Sequence, residues 1–307
     1  MDPGRAVRQH CSMIVVFGSI NLDLIFALPS IPRAGETVLG ADTRIEPGGK
    51  GANQAVAAAR DGARVVIAGA VGRDALAPGA LRLLREVGVD LSRVAETDAA
   101  TGCAAITVDP AGNNAIAVGS GANLLARADQ VEDALLSPAT TLLLQMEVPA
   151  AETAALIRRA RGRGARIVLN LAPAGSLPED ALRALDVLLV NETEAAWLCH
   201  QLGCGSTAAD LHAALGGVDA VRTLGGDGIE AATKAGMWRI PARPIRAVDT
   251  TAAGDCFAGV LAAALDRGTD MAAALLRANV AAALCCTRAG SQGSLPTAAE
   301  TDAALGK

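Results

Sequence analysis

The chain contains no tyrosine anywhere in its 307 residues, and only three phenylalanines, two tryptophans and three histidines. It also lacks any apolar run of the ~18 residues that a membrane-spanning helix needs. The most apolar stretch, MIVVFGSINLDLIF, is interrupted by Gly18, Asn21 and Asp23, so a membrane partner is not expected. The leader MDPGRAVRQHCS has no apolar export core, and residues 1–13 read as an N-terminal extension to a cytoplasmic protein. Blocks of lysine and arginine are missing and the formal net charge is −5, which argues against a nucleic-acid partner. The nearest approach to a basic patch, IRRARGRGAR (157–166), reads as a solvated helix end before a strand. The seven cysteines (Cys11, Cys103, Cys199, Cys204, Cys256, Cys285 and Cys286) show neither CxxC nor Cys/His metal spacing. Most read as small core residues, and Cys256, beside Asp255, is the one candidate for a reactive thiol. No G-x-G-x-x-G follows the first apolar burst, where FGSINLD carries a single glycine, so a nicotinamide oxidoreductase is excluded. PGGKGANQ (47–54) is not a Walker loop either. Arg44 stands where its first glycine belongs, and Gly51 follows Lys50.

What the chain does have is an apolar fraction of 51% against 19% charged residues, the balance of a folded protein. Short, continuously apolar segments at 14–18, 64–72, 141–147, 166–171, 186–191 and 219–224 predict strands buried on both faces. Between them lie the helical patterns ANQAVAAARDG, LAPGALRLLREVG, PAAETAALIRRARG and ETEAAWLCHQLG. That alternation predicts parallel βαβ units and a three-layer αβα fold with a mostly parallel central sheet. Two regions break the alternation. Residues 20–47 carry alternating apolar residues with Pro/Gly turns, and 101–118 read as a hairpin turning at DPAGNN. Both suit antiparallel strands outside the main sheet, either as a small β-lid over a site or as ordinary edge strands. No linker, repeat or low-complexity tail divides the rest, so 14–307 reads as one domain.

In parallel sheets ligands sit beyond the carboxyl ends of the strands, and polar residues collect there. Asn21 and Asp23 follow the first strand two apart, sharing one face if extended, and an amide beside a carboxylate can hold vicinal hydroxyls. Gly49, Lys50 and Asn53 open a helix from a glycine turn, and Glu147 closes LLLQME. Asn191 and Glu194 begin another helix in NETE, a pairing that suits a hydrated Mg²⁺–phosphate cluster. TLGGDG (223–228) supplies a glycine turn fit to lie against a nucleotide. In DTTAAGDCFAG (249–259), Asp255 follows an Ala-Ala-Gly turn into an apolar helix. Either Asp255 caps that helix, or it is a base beside an anion-ready N-terminus. Together these features suit phosphoryl transfer to a hydroxyl, which needs positioning, charge neutralisation and a base.

These motifs, in this order from VVFGSINLD to TRAGSQGSLP, resemble the ribokinase family of sugar kinases over nearly the whole chain. The resemblance implies ATP-dependent phosphorylation of the 5-hydroxyl of D-ribose, with deoxyribose, fructose or a nucleoside as related acceptors. A non-catalytic sugar or nucleotide sensor is the reading from another class. It further implies that Asn21, Leu22, Asp23, Gly49, Lys50, Gly51, Ala52, Asn53 and Glu147 contact the sugar. Asn191, Thr223, Leu224, Gly225, Gly226, Asp227, Gly228 and Asn279 would border ATP. Ala252, Ala253 and Gly254 would form the anion hole, with Gly254 donating to the phosphoryl group and Asp255 as base. Glu194 would organise Mg²⁺ through water. A monovalent cation, usually K⁺, would be held by Asp249, Thr251, Cys285, Arg288, Gly290 and Ser294, mostly through backbone carbonyls. The irregular segments would be the lid, and the lid the contact of a homodimer. Departures from the family pattern are Asn170-Leu171 in place of Asn-Pro, Asn279 in place of a frequent histidine, and Cys285-Cys286 beside the cation loop. Without tyrosine, apolar walls would have to hold adenine.

Overall fold

The computed structural model describes residues 12–111 and 113–306. Of the expected leader, residues 1–11, Cys11 among them, lie outside the described residues, and Met13 already belongs to the first strand. Nine strands form the main sheet: β1 (Met13–Phe17), β4 (Val65–Gly72), β5 (Asp90–Thr97), β8 (Thr140–Leu144), β9 (Arg166–Asn170), β10 (Val187–Asn191), β11 (Asp219–Thr223), β12 (Ile229–Thr233) and β13 (Gly236–Ile240). Their order is β13-β12-β11-β10-β9-β8-β1-β4-β5. All neighbours are parallel except β11–β12 and β12–β13. A second sheet holds β2 (Asn21–Ala27), β3 (Asp42–Gly48), β6 (Gly102–Val108) and β7 (Asn114–Gly119), ordered β3-β2-β6-β7. The helices are α1 (Lys50–Arg60), α2 (Ala77–Ala80), α3 (Arg82–Glu86), α4 (Ala150–Arg163), α5 (Glu179–Arg183), α6 (Glu192–Leu202), α7 (Ala208–Ala214), α8 (Ala253–Asp266), α9 (Met271–Cys285) and α10 (Ala298–Leu305).

The three layers follow from period-two burial in strands whose two faces are both covered. Ile14, Val16, Ile67, Leu143, Val168 and Leu189 point to the side of α1, α8 and α9. Their sequence neighbours Val15, Phe17, Ala68, Leu142, Leu144 and Leu169 point to the side of α4, α6 and α7. Helix α8 is buried nearly all round, from Cys256 to Leu265, because it lies against both α1 and α9. Gly259 permits that closeness: a Cβ there would sit 2.5 Å from the carbonyl oxygen of Gln54 and 2.7 Å from the Ala57 Cβ.

Four local expectations are corrected. The second sheet, expected to be antiparallel, is mixed: β2–β3 and β6–β7 are antiparallel, but β2 and β6, joined by a crossover through the main sheet, run parallel. The pattern LAPGALRLLREVG is two short helices rather than one, broken at Leu81. Strand β8 stops at Leu144, so Gln145 and Glu147 leave the ladder and turn over its end. The hairpin β12–β13 and the edge strand β5 carry no continuous apolar run and escape a search for one. The chain leaves β1 for β4 on one side and returns to β8 on the other. The carboxyl end of β1 is therefore a topological switch point, where open α/β sheets place their ligands.

Candidate active site

Residues from four elements meet above that switch point. Asn21 and Asp23 begin β2, both buried, and point to the same side of the strand. Asn21 Oδ1 accepts from Asn123 Nδ2 at 2.7 Å, and Oδ1 of Asp23 is buried without a partner. Leu22, between them, turns into the core. Gly49 delivers the chain from β3 into α1 at φ 87°, where a Cβ would lie 2.8 Å from the Asn21 amide nitrogen. This close crossing needs glycine. The first amides of α1 are already engaged. Lys50 N–H donates to Glu147 Oε2 at 3.0 Å, Gly51 N–H to Ser19 Oγ at 3.2 Å and Ala52 N–H to the Ser19 carbonyl at 2.9 Å.

Asp255 does not cap its helix. The N-cap is Ala252, held at φ 60° in the left-handed region, a strained setting for a non-glycine residue of the kind that collects at functional sites. Asp255 sits three residues in, buried, with both oxygens engaged by side chains: Asn53 Nδ2 at 2.9 Å and Gln54 Nε2 at 2.9 Å. Among the described residues no acceptor is paired with the N–H of Gly254 or Asp255. Both residues line a cavity at a helix N-terminus, an anion site by its dipole and its free donors.

Three cavities meet here. One of about 230 Å³ is lined by Lys50, Asn191, Glu194, Thr223, Gly254 and Asp255. One of about 360 Å³ runs under the second sheet, between Asp23, Ile106 and Ile116 on that side and Asp249, Thr251 and Gly290 on the other. A third, of about 550 Å³, is walled by Gly225, Gly226, Pro244, Ile245, Asn279 and Ala282. It is an apolar slot bounded by glycines, compatible with a chain that has no tyrosine. Thr250 borders all three.

Charge in this space is unbalanced. Burial, then the nearby Glu147, Glu46 and Asp255, push the Asp23 carboxyl up to about 7. Asp255, with Glu147 and Glu194, holds the Lys50 ammonium above its usual range against the pull of burial. Glu194 is raised by burial, opposed by the Asn191 N–H that donates to it at 2.8 Å; the two form a capping box at the start of α6.

Around 224–228, the N–H of Leu224 donates to the carbonyl of Gly228 at 2.8 Å, and a short 3₁₀ turn spans Gly225–Asp227. The Asn279 amide donates to the Pro241 carbonyl at 2.9 Å.

The expected cation ligands are brought into one loop cluster. Asp249 accepts from Thr251 N–H at 2.8 Å and Gly290 N–H at 3.0 Å, and despite partial burial these bonds lower its carboxyl. Cys285 Sγ lies 3.1 Å from Ser294 Oγ and 3.7 Å from the Thr251 carbonyl. The Arg288 side chain pairs with Glu300. Among the described residues no group of three or more His, Cys, Asp or Glu could hold a metal. A donor set of carbonyls fits a large monovalent ion, and Glu194 beside Asn191 fits an outer contact to a hydrated divalent one. Cys256, expected as a candidate nucleophile, is fully buried, with its thiol raised by its hydrogen bond to Cys285 and by burial. It is therefore inert.

Sequence reasoning missed Ser19, Gln54, Asn123, Gln145 and Thr250. Each is polar and lies near a strand or helix end, but none belongs to a residue type that announces chemistry.

The profile of the pfkB family of carbohydrate kinases matches residues 12–298. Ribokinase of Bacillus subtilis is 36% identical over 302 residues, covering 95% of this chain and 99% of that protein. The crystal structure of ribokinase from Thermotoga maritima superposes with a TM-score of 0.87 at 31% identity, covering 96% of this chain and 100% of the other. Arabidopsis thaliana ribokinase, solved with ribose and ATP, gives 0.86 at 28% identity, covering 96% and 99%.

Proposed function

The chain belongs to the pfkB family of carbohydrate kinases, and from that premise we propose that it transfers the γ-phosphoryl group of ATP to the 5-hydroxyl of D-ribose. The products are D-ribose 5-phosphate and ADP. The observation that carries the reading is Asp255 itself. It is a buried carboxylate held by two amide donors at the mouth of a helix whose Gly254 and Asp255 N–H groups have no acceptor among the described residues, with Lys50 in the same cavity.

In this reading the sugar lies under the second sheet, with its vicinal hydroxyls donating to Asp23, whose buried Oδ1 lacks a partner. Its 5-hydroxyl faces Asp255, which takes the proton as the O5–phosphorus bond forms and the bond to the ADP oxygen breaks. The amides of Gly254 and Asp255 receive the equatorial oxygens of the migrating group, and Lys50 adds a fixed positive charge. The glycine turn 225–228 and the slot formed by Pro244, Ile245 and Ala282 hold the nucleotide. Asn191 and Glu194 would hold Mg²⁺ through its water shell, and the ion would supply charge neutralisation on the phosphates. Asp249, Ser294 and the carbonyls of Thr251, Cys285, Arg288 and Gly290 would hold K⁺, a fixed charge beneath the anion hole. The second sheet acts as the lid and as the contact of a homodimer, and a cytoplasmic location belongs to the same proposal. No helix among the described residues is long and apolar enough to cross a membrane.

The test is ADP release from MgATP with D-ribose, with and without K⁺, beside deoxyribose, fructose and adenosine. Strong K⁺-stimulated turnover on ribose over the others is expected. Turnover on another acceptor alone would move the error to the lid side of the site. No turnover on any acceptor would overturn the proposal.

A further inference from the structure

Behind Asp255 runs a chain of buried amides that the proposed reaction does not use directly. Gln54 Nε2 donates to Asp255 Oδ1 at 2.9 Å, and Gln145 Nε2 donates to Gln54 Oε1 at 2.7 Å. Both glutamines are completely buried. The direction of the chain follows from chemistry. An ionised carboxylate only accepts, so Gln54 must turn its NH₂ group to Asp255 and its carbonyl to Gln145. Gln145 must then offer its own NH₂, which leaves its Oε1 over. That oxygen is buried without a partner, and a Cβ on Gly18 would lie 1.9 Å from it. An orphaned buried acceptor costs stability, and here it is what remains once the row has been aligned on Asp255.

The row also crosses elements. Asp255 rides on α8, Gln54 on α1, and Gln145 on the segment after β8. Gly259, one turn beyond Asp255, lets α1 approach closely enough for Gln54 to reach it. With Asn53 on the other oxygen, the carboxylate plane is fixed at both ends, and each oxygen keeps one lone pair free.

We propose that Gln54, itself oriented by Gln145, is a positioning residue that sets the plane of the Asp255 carboxylate. The inference rests on Asp255 being the base. The charged or titratable groups facing Asp255 are Lys50 from α1, Asp23 from β2, Glu194 from α6 and Cys285 from α9. The effect is therefore read in kcat at saturating sugar and MgATP and at one fixed pH, so that the ionisation of these neighbours is held constant.

Gln54→Met keeps the shape and removes the donor. A hydrogen bond to an ionised group suggests a kcat loss of about tenfold or more with KM for sugar and MgATP little changed. Gln145→Met should lower kcat in the same way by less. Because Gln145 acts through Gln54, the double variant should be no worse than Gln54→Met alone. Circular dichroism confirms that each variant is folded. An unchanged kcat in folded Gln54→Met, or a loss confined to KM, overturns the positioning role, as does full additivity in the double variant. If Gln54→Met fails to fold, Gln145→Met carries the same test, and its unchanged kcat overturns the relay. Asp255→Asn separates the two layers. Near-normal turnover there sinks the base itself, whereas an inactive Asp255→Asn beside a normal Gln54→Met sinks only the relay.

Discussion

Glu147 Oε2 lies 2.6 Å from Ser19 Oγ and 3.0 Å from the Lys50 amide nitrogen, so one carboxylate oxygen fastens the end of β1 to the start of α1. Ser19 passes the constraint on, because its own oxygens hold the amides of Gly51 and Ala52. Glu147 thus shapes the loop that presents Lys50, whatever else it touches. Glu147→Ala leaves the Lys50 amide and the Ser19 hydroxyl without their acceptor, a loss of about 1–3 kcal/mol by the cost of an unmet buried donor. Thermal unfolding should drop by several degrees and the KM for sugar should rise. Glu147→Gln, which keeps an acceptor oxygen, should show a much smaller stability loss. Equal melting temperatures for wild type and Glu147→Ala would refute the fastening role.

Asp23 makes the site sensitive to pH. Its carboxyl is raised from 3.8 to about 7 in the folded chain, so between those values the native state keeps a proton that the unfolded chain has lost. Stability from this group is full below the lower value and falls as pH rises through the upper one. Sugar hydroxyls donating to the carboxylate favour its ionised form. Binding near pH 6 should therefore release a proton, and affinity should tighten as pH rises from 6 to 8. Calorimetry in two buffers of different ionisation enthalpy measures that proton directly. Asp23→Asn should abolish the release, and an unchanged proton count in that variant would assign the effect elsewhere.

Much of this site is legible in the sequence, and the reason is geometric. Strands buried on both faces have to be continuous apolar runs, so the ends of β1, β9, β10 and β11 stand out, and with them Asn21, Asp23 and Asn191. Asp255 is legible because an Ala-Ala-Gly turn into an apolar helix is a specific local event. Its partners are not. Gln54 and Gln145 are 91 residues apart and mean nothing until α1 and β8 are neighbours. Likewise Thr250 joins three cavities through its place in the fold, with no motif beyond its neighbours. The β12–β13 hairpin hides because its outer strand is mostly exposed and loses the apolar signature.

At the far ends of α1 and α8, Asp61 holds those helices together. Its side chain is 1% exposed, with Oδ2 2.7 Å from Arg267 and Oδ1 2.6 Å from Arg277, and Arg277 also pairs with Asp302 on α10. Removing one member of a buried ion pair leaves the others uncompensated, at about 3–5 kcal/mol. Asp61→Ala should therefore lower the denaturation midpoint substantially. The eleven residues of α1 place Asp61 roughly 15 Å from its N-terminus, so KM and kcat at low temperature should stay close to wild type. A kinetic defect without a stability defect would contradict this division.

The second sheet ends in an open edge at β7. All six residues of β7 are exposed, and its central run Ala115–Val118 carries no charge or proline to blunt pairing with another chain. Across the sheet, Ile25, Ile106 and Ile116 stand in one register row, and Ile116 is 57% exposed while bordering the cavity that holds Asp23. An uncovered apolar edge of this kind calls for a cover, and in the proposed homodimer the second sheet of another copy would supply it. Ile116→Lys puts a charge into that row and leaves Asp255, which does not line this cavity, unaltered. Sedimentation velocity should then show a dimer for wild type and a monomer for the variant. Because Ile116 also walls the cavity proposed for the sugar, KM for sugar should rise with little change in kcat. A monomeric wild type would remove the lid contact altogether. A variant that stays dimeric would move the interface to another face.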